Sequence, residues 1–262
     1  MPRFALKPDA EVSKSTAKMR LLKRLHCTTR HEKAAWQAGA QFVCGVDEVG
    51  RGSLFGPVVA GAVILDPNYR IRGLRDSKLL KKDDRERLAE RIKQHAIAWS
   101  VAAVDAARID QINIYHASRM AMVEAVGKLS TSPDFLLIDA LKLDLAIQQR
   151  AIIHGDAVSA SIAAASIVAK VHRDAMIDDW DPIYPLYGLK NNKGYYTQKH
   201  LRILREHGPS PLHRMSFAPV WNAGSQQEAL AFVEELEDLS VQPDPALLQS
   251  TDESAMHPEA GK

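Results

Sequence analysis

Phe42-Val43-Cys44-Gly45-Val46-Asp47-Glu48-Val49-Gly50-Arg51-Gly52 is the stretch on which the rest of the chain turns. It begins as an apolar run that reads as a buried strand, and it passes without a turn signal into two adjacent acids and a glycine-flanked arginine. Asp47 and Glu48 therefore fall at or near a strand end. Side chains alternate faces along a strand, so neighbouring carboxylates reach a common point only where the strand finishes or an ion draws them together. Two close negative charges cost energy unless a proton or a cation joins them. A divalent metal is the simplest solution.

Working outward, Gly56-Pro57 leads into a second apolar strand over residues 58–65, closed by Asp66-Pro67-Asn68. A short glycine-rich connection between two strands predicts an antiparallel hairpin. On the other side of the first strand, residues 30–39 read as a helix ending at glycine. Downstream, Asp76-Ser77-Lys78 precedes a charged helix over 82–95, followed by a strand over 96–104 and an amphipathic helix over 112–129. Phe135-Leu136-Leu137-Ile138-Asp139 is a short apolar run closing on an acid. Placed after a long helix it predicts a parallel strand, whose carboxyl end is where open α/β sheets bind ligands. Residues 151–156 repeat the pattern and end on Asp156.

Residues 159–174 form a helical stretch of unusually small residues, which lets a helix approach a sheet closely and predicts an element buried beneath the site. Residues 184–197 are a loop rich in tyrosine, glycine and lysine. Thr197 then caps a helix to about His207, broken by Gly208-Pro209-Ser210-Pro211. The spacing Ser225-Gln226-Gln227-Glu228 predicts a last amphipathic helix to about Leu239, and residues 240–262 have the composition of a disordered tail.

Hydrophobic residues make up 46% of the 262, enough for a sizeable core. The only cysteines are Cys27 and Cys44, too few for a disulfide framework, and Cys44 reads as a core residue, so a reducing compartment is expected. No signal peptide and no apolar run of membrane-spanning length appears, which points to the cytoplasm and away from a membrane partner. Residues 1–33 carry nine Lys and Arg against three Asp and Glu, whereas residues 222–262 carry one against nine. The chain divides accordingly into a basic, poorly ordered arm (1–28), a central unit (29–222), and an acidic helix with a disordered tail (223–262). His26, Cys27 and His31 lack a second Cys/His pair at zinc-finger spacing.

Asp47, Glu48, Asp139 and Asp156 all fall at predicted strand ends or just after them. Four carboxylates with few imidazoles suit two Mg²⁺ or Mn²⁺ ions rather than zinc, and paired ions about 4 Å apart suit attack of water on a phosphodiester. Gly50-Arg51-Gly52 offers close backbone approach to a sugar-phosphate chain. Lys78, Lys170, Arg173, Lys190 and Lys193 are candidates for phosphate contact, and Tyr195 or Tyr196 for stacking on a sugar or base.

These residues resemble a known family. Asp47-Glu48-Val49-Gly50-Arg51-Gly52 with Gly56-Pro57-Val58-Val59-Ala60, then Asp76-Ser77-Lys78, Asp139-Ala140, the helix from Ser161 to Asp174, Lys193-Gly194-Tyr195, and His207-Gly208-Pro209-Ser210-Pro211-Leu212-His213-Arg214 are similar to the motifs of ribonuclease HII, in family order. The resemblance implies an α/β, RNase H-like fold: a mixed five-stranded sheet flanked by helices, with a C-terminal helical extension. It implies an endonuclease that cuts the RNA strand of RNA/DNA hybrids and nicks at a ribonucleotide embedded in duplex DNA, leaving 3′-hydroxyl and 5′-phosphate ends. It also implies metal ligation by Asp47, Glu48 and Asp139, a fourth catalytic acid in Asp156, and reading of the ribose 2′-hydroxyl by Gly50-Arg51-Gly52 with Tyr195. A monomer is expected, and no residue argues for or against a sliding-clamp partner. Asn192 stands where the family pattern has a histidine, and Tyr196 where a smaller residue is usual. Two other classes fit less of the chain: a catalytically silent hybrid-binding protein, and another nuclease of this broad fold such as a Holliday-junction resolvase or a ribonuclease H of the other type.

Overall fold

The computed structural model describes residues 24–225. The first 23 residues of the basic arm, nearly all of the helix expected over 225–239, and the tail lie outside the described residues.

Strand β1 (Val43–Val49) pairs antiparallel with β2 (Val58–Leu65), and β2 with β3 (Ala96–Val104), as the hairpin signal predicts. Strand β4 (Phe135–Asp139) lies parallel to β1, and β5 (Gln148–Ile152) parallel to β4. The result is one mixed five-stranded sheet, ordered β3-β2-β1-β4-β5. Its two faces are covered by different kinds of helix.

Helix α1 (Arg30–Gln37) leads into the sheet, and α2 (Lys82–His95) precedes β3. Helix α3 (Ala106–Gly127) packs Ala117, Ala121, Met122 and Ala125 against Cys44, Val46, Ala60, Ala62, Leu136 and Ile138. It starts six residues before the expected position and is broken at Asn113, whose backbone is non-helical. The Asn113 side chain accepts hydrogen bonds from the backbone N–H of Tyr115 and His116, re-capping the helix where the amphipathic pattern begins.

The opposite face is set by glycine. A Cβ on Gly45 would lie 2.0 Å from the Ser161 carbonyl carbon, and one on Gly61 would lie 2.4 Å from the Ala165 carbonyl oxygen. Only a sheet and a helix that are both short of side-chain atoms can approach this closely. Helix α5 (Ala160–Trp180), buried throughout its first ten residues, is that element, as its small-residue composition predicts.

The run over 151–156 is not one strand. Strand β5 ends at Ile152, His154 takes a left-handed backbone conformation (φ 56°), and the short helix α4 (Gly155–Val158) carries Asp156. The tyrosine-rich stretch likewise holds a 3₁₀ turn (Pro185–Tyr187) and the short helix α6 (Leu189–Asn192). Helix α7 (Gln198–His207) is capped as expected, the Thr197 hydroxyl accepting from the His200 N–H, and residues 218–225 are helical after it. Among the described residues no helix is long and apolar enough to cross a membrane.

Candidate active site

The parallel register pairs Val46 with Ile138, so Asp47 and Asp139 follow on the next rung of adjacent strands, on the α5 face. Asp47 is only 4% exposed, and its carboxylate accepts from the Glu48 N–H at 2.8 Å. Asp139 accepts from the Gly155 N–H at 2.7 Å, which ties the end of β4 to the turn that presents Asp156. Asp156 is buried, with the Lys78 ammonium 3.2 Å away and the same ammonium 3.8 Å from Asp76. The Asp76 carboxylate accepts from the Lys78 N–H and so caps the 3₁₀ turn Ser77–Leu79 that carries this lysine.

Crowding of like charge shows in the acidities. Burial, then the charges of Glu48, Asp139 and Asp156, hold the Asp47 carboxyl well above the usual carboxylate range. Burial also raises Glu48, with Arg51 opposing, and raises Asp139, with the Gly155 N–H opposing. For Lys78, burial would lower the pKa, but Asp156, Asp76 and Asp47 together raise it. One Glu48 oxygen takes Arg51 at 3.2 Å, while its Oε2 is buried and without a hydrogen-bond partner. Among the described residues no three His, Cys, Asp or Glu side chains are already gathered at ion-holding spacing. The four acids share a field, relieved in part by Lys78 at Asp156 and Asp139, by Arg51 at Glu48 and by His154 at Asp139.

The glycine-flanked arginine sits beside a different arrangement. Gly50 has φ 93°, and a Cβ there would be 2.3 Å from Arg173 Nε, so this turn requires glycine twice over. Arg173 is 0% exposed. Its guanidinium donates to the Pro57 carbonyl (3.0 Å), the Lys193 carbonyl (3.1 Å), the Ser53 hydroxyl (2.8 Å) and the Phe55 carbonyl (3.0 Å). Arg214, equally buried, donates to the Gly56 and Arg51 carbonyls. The phosphate contact expected of Arg173 is therefore corrected: its donors are spent on the backbone of the 50–57 loop and the 193–195 segment.

Lys170 and Lys193 are also engaged, Lys170 at 2.6 Å from Asp174 and Lys193 with Asp178. Lys78 keeps a side chain 64% exposed, and Arg51 and Lys190 lie at the surface. Tyr195 is partly buried, its ring 5.6 Å from the Lys170 ammonium and 5.4 Å from the Arg173 guanidinium; Tyr196 points to solvent. Backbone bonds stitch the loop down on both sides, from Leu54 N–H to Gly194 O, from Gly56 N–H to Leu212 O, and from Arg214 N–H to Leu54 O. The unexpected Asn192 shapes the approach to Tyr195: it accepts from the Gly194 N–H and donates to the Tyr187 carbonyl, both at 2.7 Å.

Sequence reasoning assigned no role to Arg214, His200 or His213, which buttress this loop. His213 and Arg214 fall inside a quoted motif, yet no local pattern distinguishes a buried cation from a solvated one.

The chain is similar to known proteins in sequence and in fold. The family model described as ribonuclease HII matches residues 44–220. A protein of Koribacter versatilis named ribonuclease HII is 64% identical over 239 residues, covering 91% of this chain and 94% of the relative. The crystal structure of ribonuclease H2 from Pyrococcus horikoshii OT3 superimposes with a TM-score of 0.64 at 25% identity, covering 72% of this chain and 99% of that one. The structure of Bst-RNase HIII in complex with Mn²⁺ has a TM-score of 0.54 at 23% identity, over 77% of this chain and 73% of that one, and so shares the fold. With a family match across most of its length and a relative of this identity, the chain belongs to the ribonuclease HII family of ribonuclease H enzymes.

Proposed function

We propose that this ribonuclease H cuts the RNA strand of RNA/DNA hybrids, and nicks duplex DNA at an embedded ribonucleotide, by two-metal-ion hydrolysis leaving 3′-hydroxyl and 5′-phosphate ends. One observation carries the reading: four acids converge near the ends of β1 and β4, where burial and mutual repulsion hold three of them above the usual carboxylate range, a cost that bound cations would relieve. Asp47, Glu48, Asp139 and Asp156 would hold Mg²⁺ or Mn²⁺. The residues fit such ions, since all four donors are carboxylates and Glu48 Oε2 is a buried oxygen without a partner. Bound divalent ions there supply activation of water and stabilisation of the leaving oxygen.

The chain's own residues do the rest. Lys78, anchored by Asp76 and Asp156, presents its ammonium to a phosphate beside the scissile bond. Arg51 holds Glu48 in place with one edge of its guanidinium. Gly50-Arg51-Gly52 brings backbone groups against the sugar, and the Tyr195 ring, backed by Lys170 and Arg173, packs on the ribose whose 2′-hydroxyl marks RNA. Lys190, on the surface of α6, lies free to meet the backbone further along. Two free thiols, one buried, support a reducing cytoplasmic setting.

The test is a DNA duplex bearing one ribonucleotide, incubated with and without Mg²⁺ or Mn²⁺, with the nick mapped to the nucleotide. Cleavage should need the ion and the 2′-hydroxyl, and Asp47→Asn or Asp139→Asn should abolish it while the protein stays folded. Equal cleavage of an all-deoxy duplex would favour a resolvase-like activity, and turnover retained in purified Asp139→Asn would sink the four-acid reading.

A further inference from the structure

Behind the 50–57 loop lies a pair of fully buried imidazoles that the chemistry proposed above does not use. His200, on α7, and His213, beyond the Gly208–Pro211 break, face each other Nε2 to Nε2 at 3.0 Å. The pair spans the two segments that grip the loop. Tyr195 bridges to Ser53, His213 bridges to Phe55, and the Phe55 ring meets His213 edge-on at 5.0 Å. The Tyr187 ring packs against both imidazoles, with its hydroxyl fixed on the Gly208 carbonyl.

The hydrogen bonds have only one consistent direction. A backbone N–H cannot accept, and the Ser210 N–H points at His213 Nδ1 from 2.9 Å, so Nδ1 offers its lone pair and a neutral His213 carries its proton on Nε2. That proton faces His200 Nε2, which must then accept. The His200 proton is thereby placed on Nδ1, 3.1 Å from the Tyr195 carbonyl oxygen, to which it donates. The Ser210 hydroxyl, also 2.9 Å from His213 Nδ1, lies on the same accepting atom. Adding a proton to either ring sets two N–H groups against each other. Burial favours the neutral rings, lowering the pKa of His200 and, with the charge of His200 as a second cause, that of His213 to about 3.

We propose that His200 and His213 are positioning residues for ribonucleotide recognition. The one-way chain from the Ser210 N–H through His213 and His200 to the Tyr195 carbonyl sets where the Tyr195 ring stands relative to Gly50-Arg51-Gly52. The proposal rests on the reading of Tyr195 as the residue that packs on the ribose.

A double-mutant cycle on a duplex with one ribonucleotide tests it. His200→Leu, which removes the donor to Tyr195, is expected to lower kcat/KM about 10-fold, since tenfold corresponds to the loss of about one buried hydrogen bond. His200→Asn, which keeps an N–H near the Nδ1 place, should recover most of that. In a Tyr195→Ala background, His200→Leu should cost nothing further, because the two act through one group. If both single changes lower kcat/KM and their losses add, the positioning role is overturned while the Tyr195 reading stands. If Tyr195→Ala leaves kcat/KM unchanged, the Tyr195 reading fails and takes this one with it. Thermal unfolding of each variant checks that it is folded. Should His200→Leu not fold, imidazole ¹⁵N NMR of the unaltered protein decides: His213 protonated on Nε2 and His200 on Nδ1 is the expected pair, and the reverse pair overturns the chain.

Discussion

The carboxylates at the ends of β1 and β4 and the cations beneath the 50–57 loop are both buried charges, yet they are treated in opposite ways. Burial, and then the acids around it, raise the pKa of Asp47, and Glu48 keeps an oxygen with no partner. Arg173 is more deeply buried than either, and its three nitrogens donate four hydrogen bonds. Burial of charge is costly, and a fold accepts it where the partners are inside the protein or where they come from outside. On the function proposed above the acid cluster is of the second kind, whereas the arginine is of the first. Asp174, set between Lys170 and Arg85, extends the internally satisfied side.

Breaking this contrast tests it. The largest effect is expected of Asp47→Asn: cleavage should fall at least about 10³-fold, or about 4 kcal/mol of barrier, whereas stability without divalent ions should rise, because one of several like charges is gone. A loss of stability on thermal unfolding would show the cluster to be internally satisfied after all. Arg173→Met should do the reverse, lowering stability by about 3 kcal/mol as its buried acceptors lose their donors. A denaturant midpoint that hardly moves would count against its scaffold role.

Next in size is the response to ions. At a hundredfold excess over its dissociation constant, Mg²⁺ or Mn²⁺ should stabilise the unaltered protein by about 2.7 kcal/mol, and Asp47→Asn by less, read as the shift in Tm on titration. An equal shift in both would place the ions elsewhere.

The effect of acid is the smallest per step, one pH unit at a time, and in it the two regions have opposite signs. Asp47, Glu48 and Asp139 have raised pKa values in the folded protein, so the stability they contribute is full below the ordinary carboxylate range and is lost as pH rises through their folded values. His213 is depressed from 6.5 to about 3, so its contribution is present above pH 6.5 and is lost as pH falls toward 3. Stability of the unaltered protein relative to His213→Gln should therefore decline from pH 6.5 downward, with a slope approaching about 1.4 kcal/mol per pH unit. Parallel curves would mean that His213 is free to take up a proton.

Much of this was legible in the chain itself. The hairpin of β1 and β2, the parallel β4, the small-residue α5 and the acids Asp47, Glu48 and Asp139 at strand ends follow from alternation, glycine and proline punctuation and side-chain size, which act over a few residues. The end of β5 was less legible, because a left-handed His154 carries no sequence signal, and so Asp156 emerged on a helix rather than a strand.

The sequence by itself determined the order of the elements, the acids and their kind of chemistry, because each depends on neighbours close along the chain. Only the tertiary structure decided which cations face outward and which hold the loop. Arg173 reads like any helical arginine until residues 116, 118 and 120 positions away bring it their carbonyl and hydroxyl oxygens. A buried charge is defined by its partners, and those partners meet only when the chain has folded.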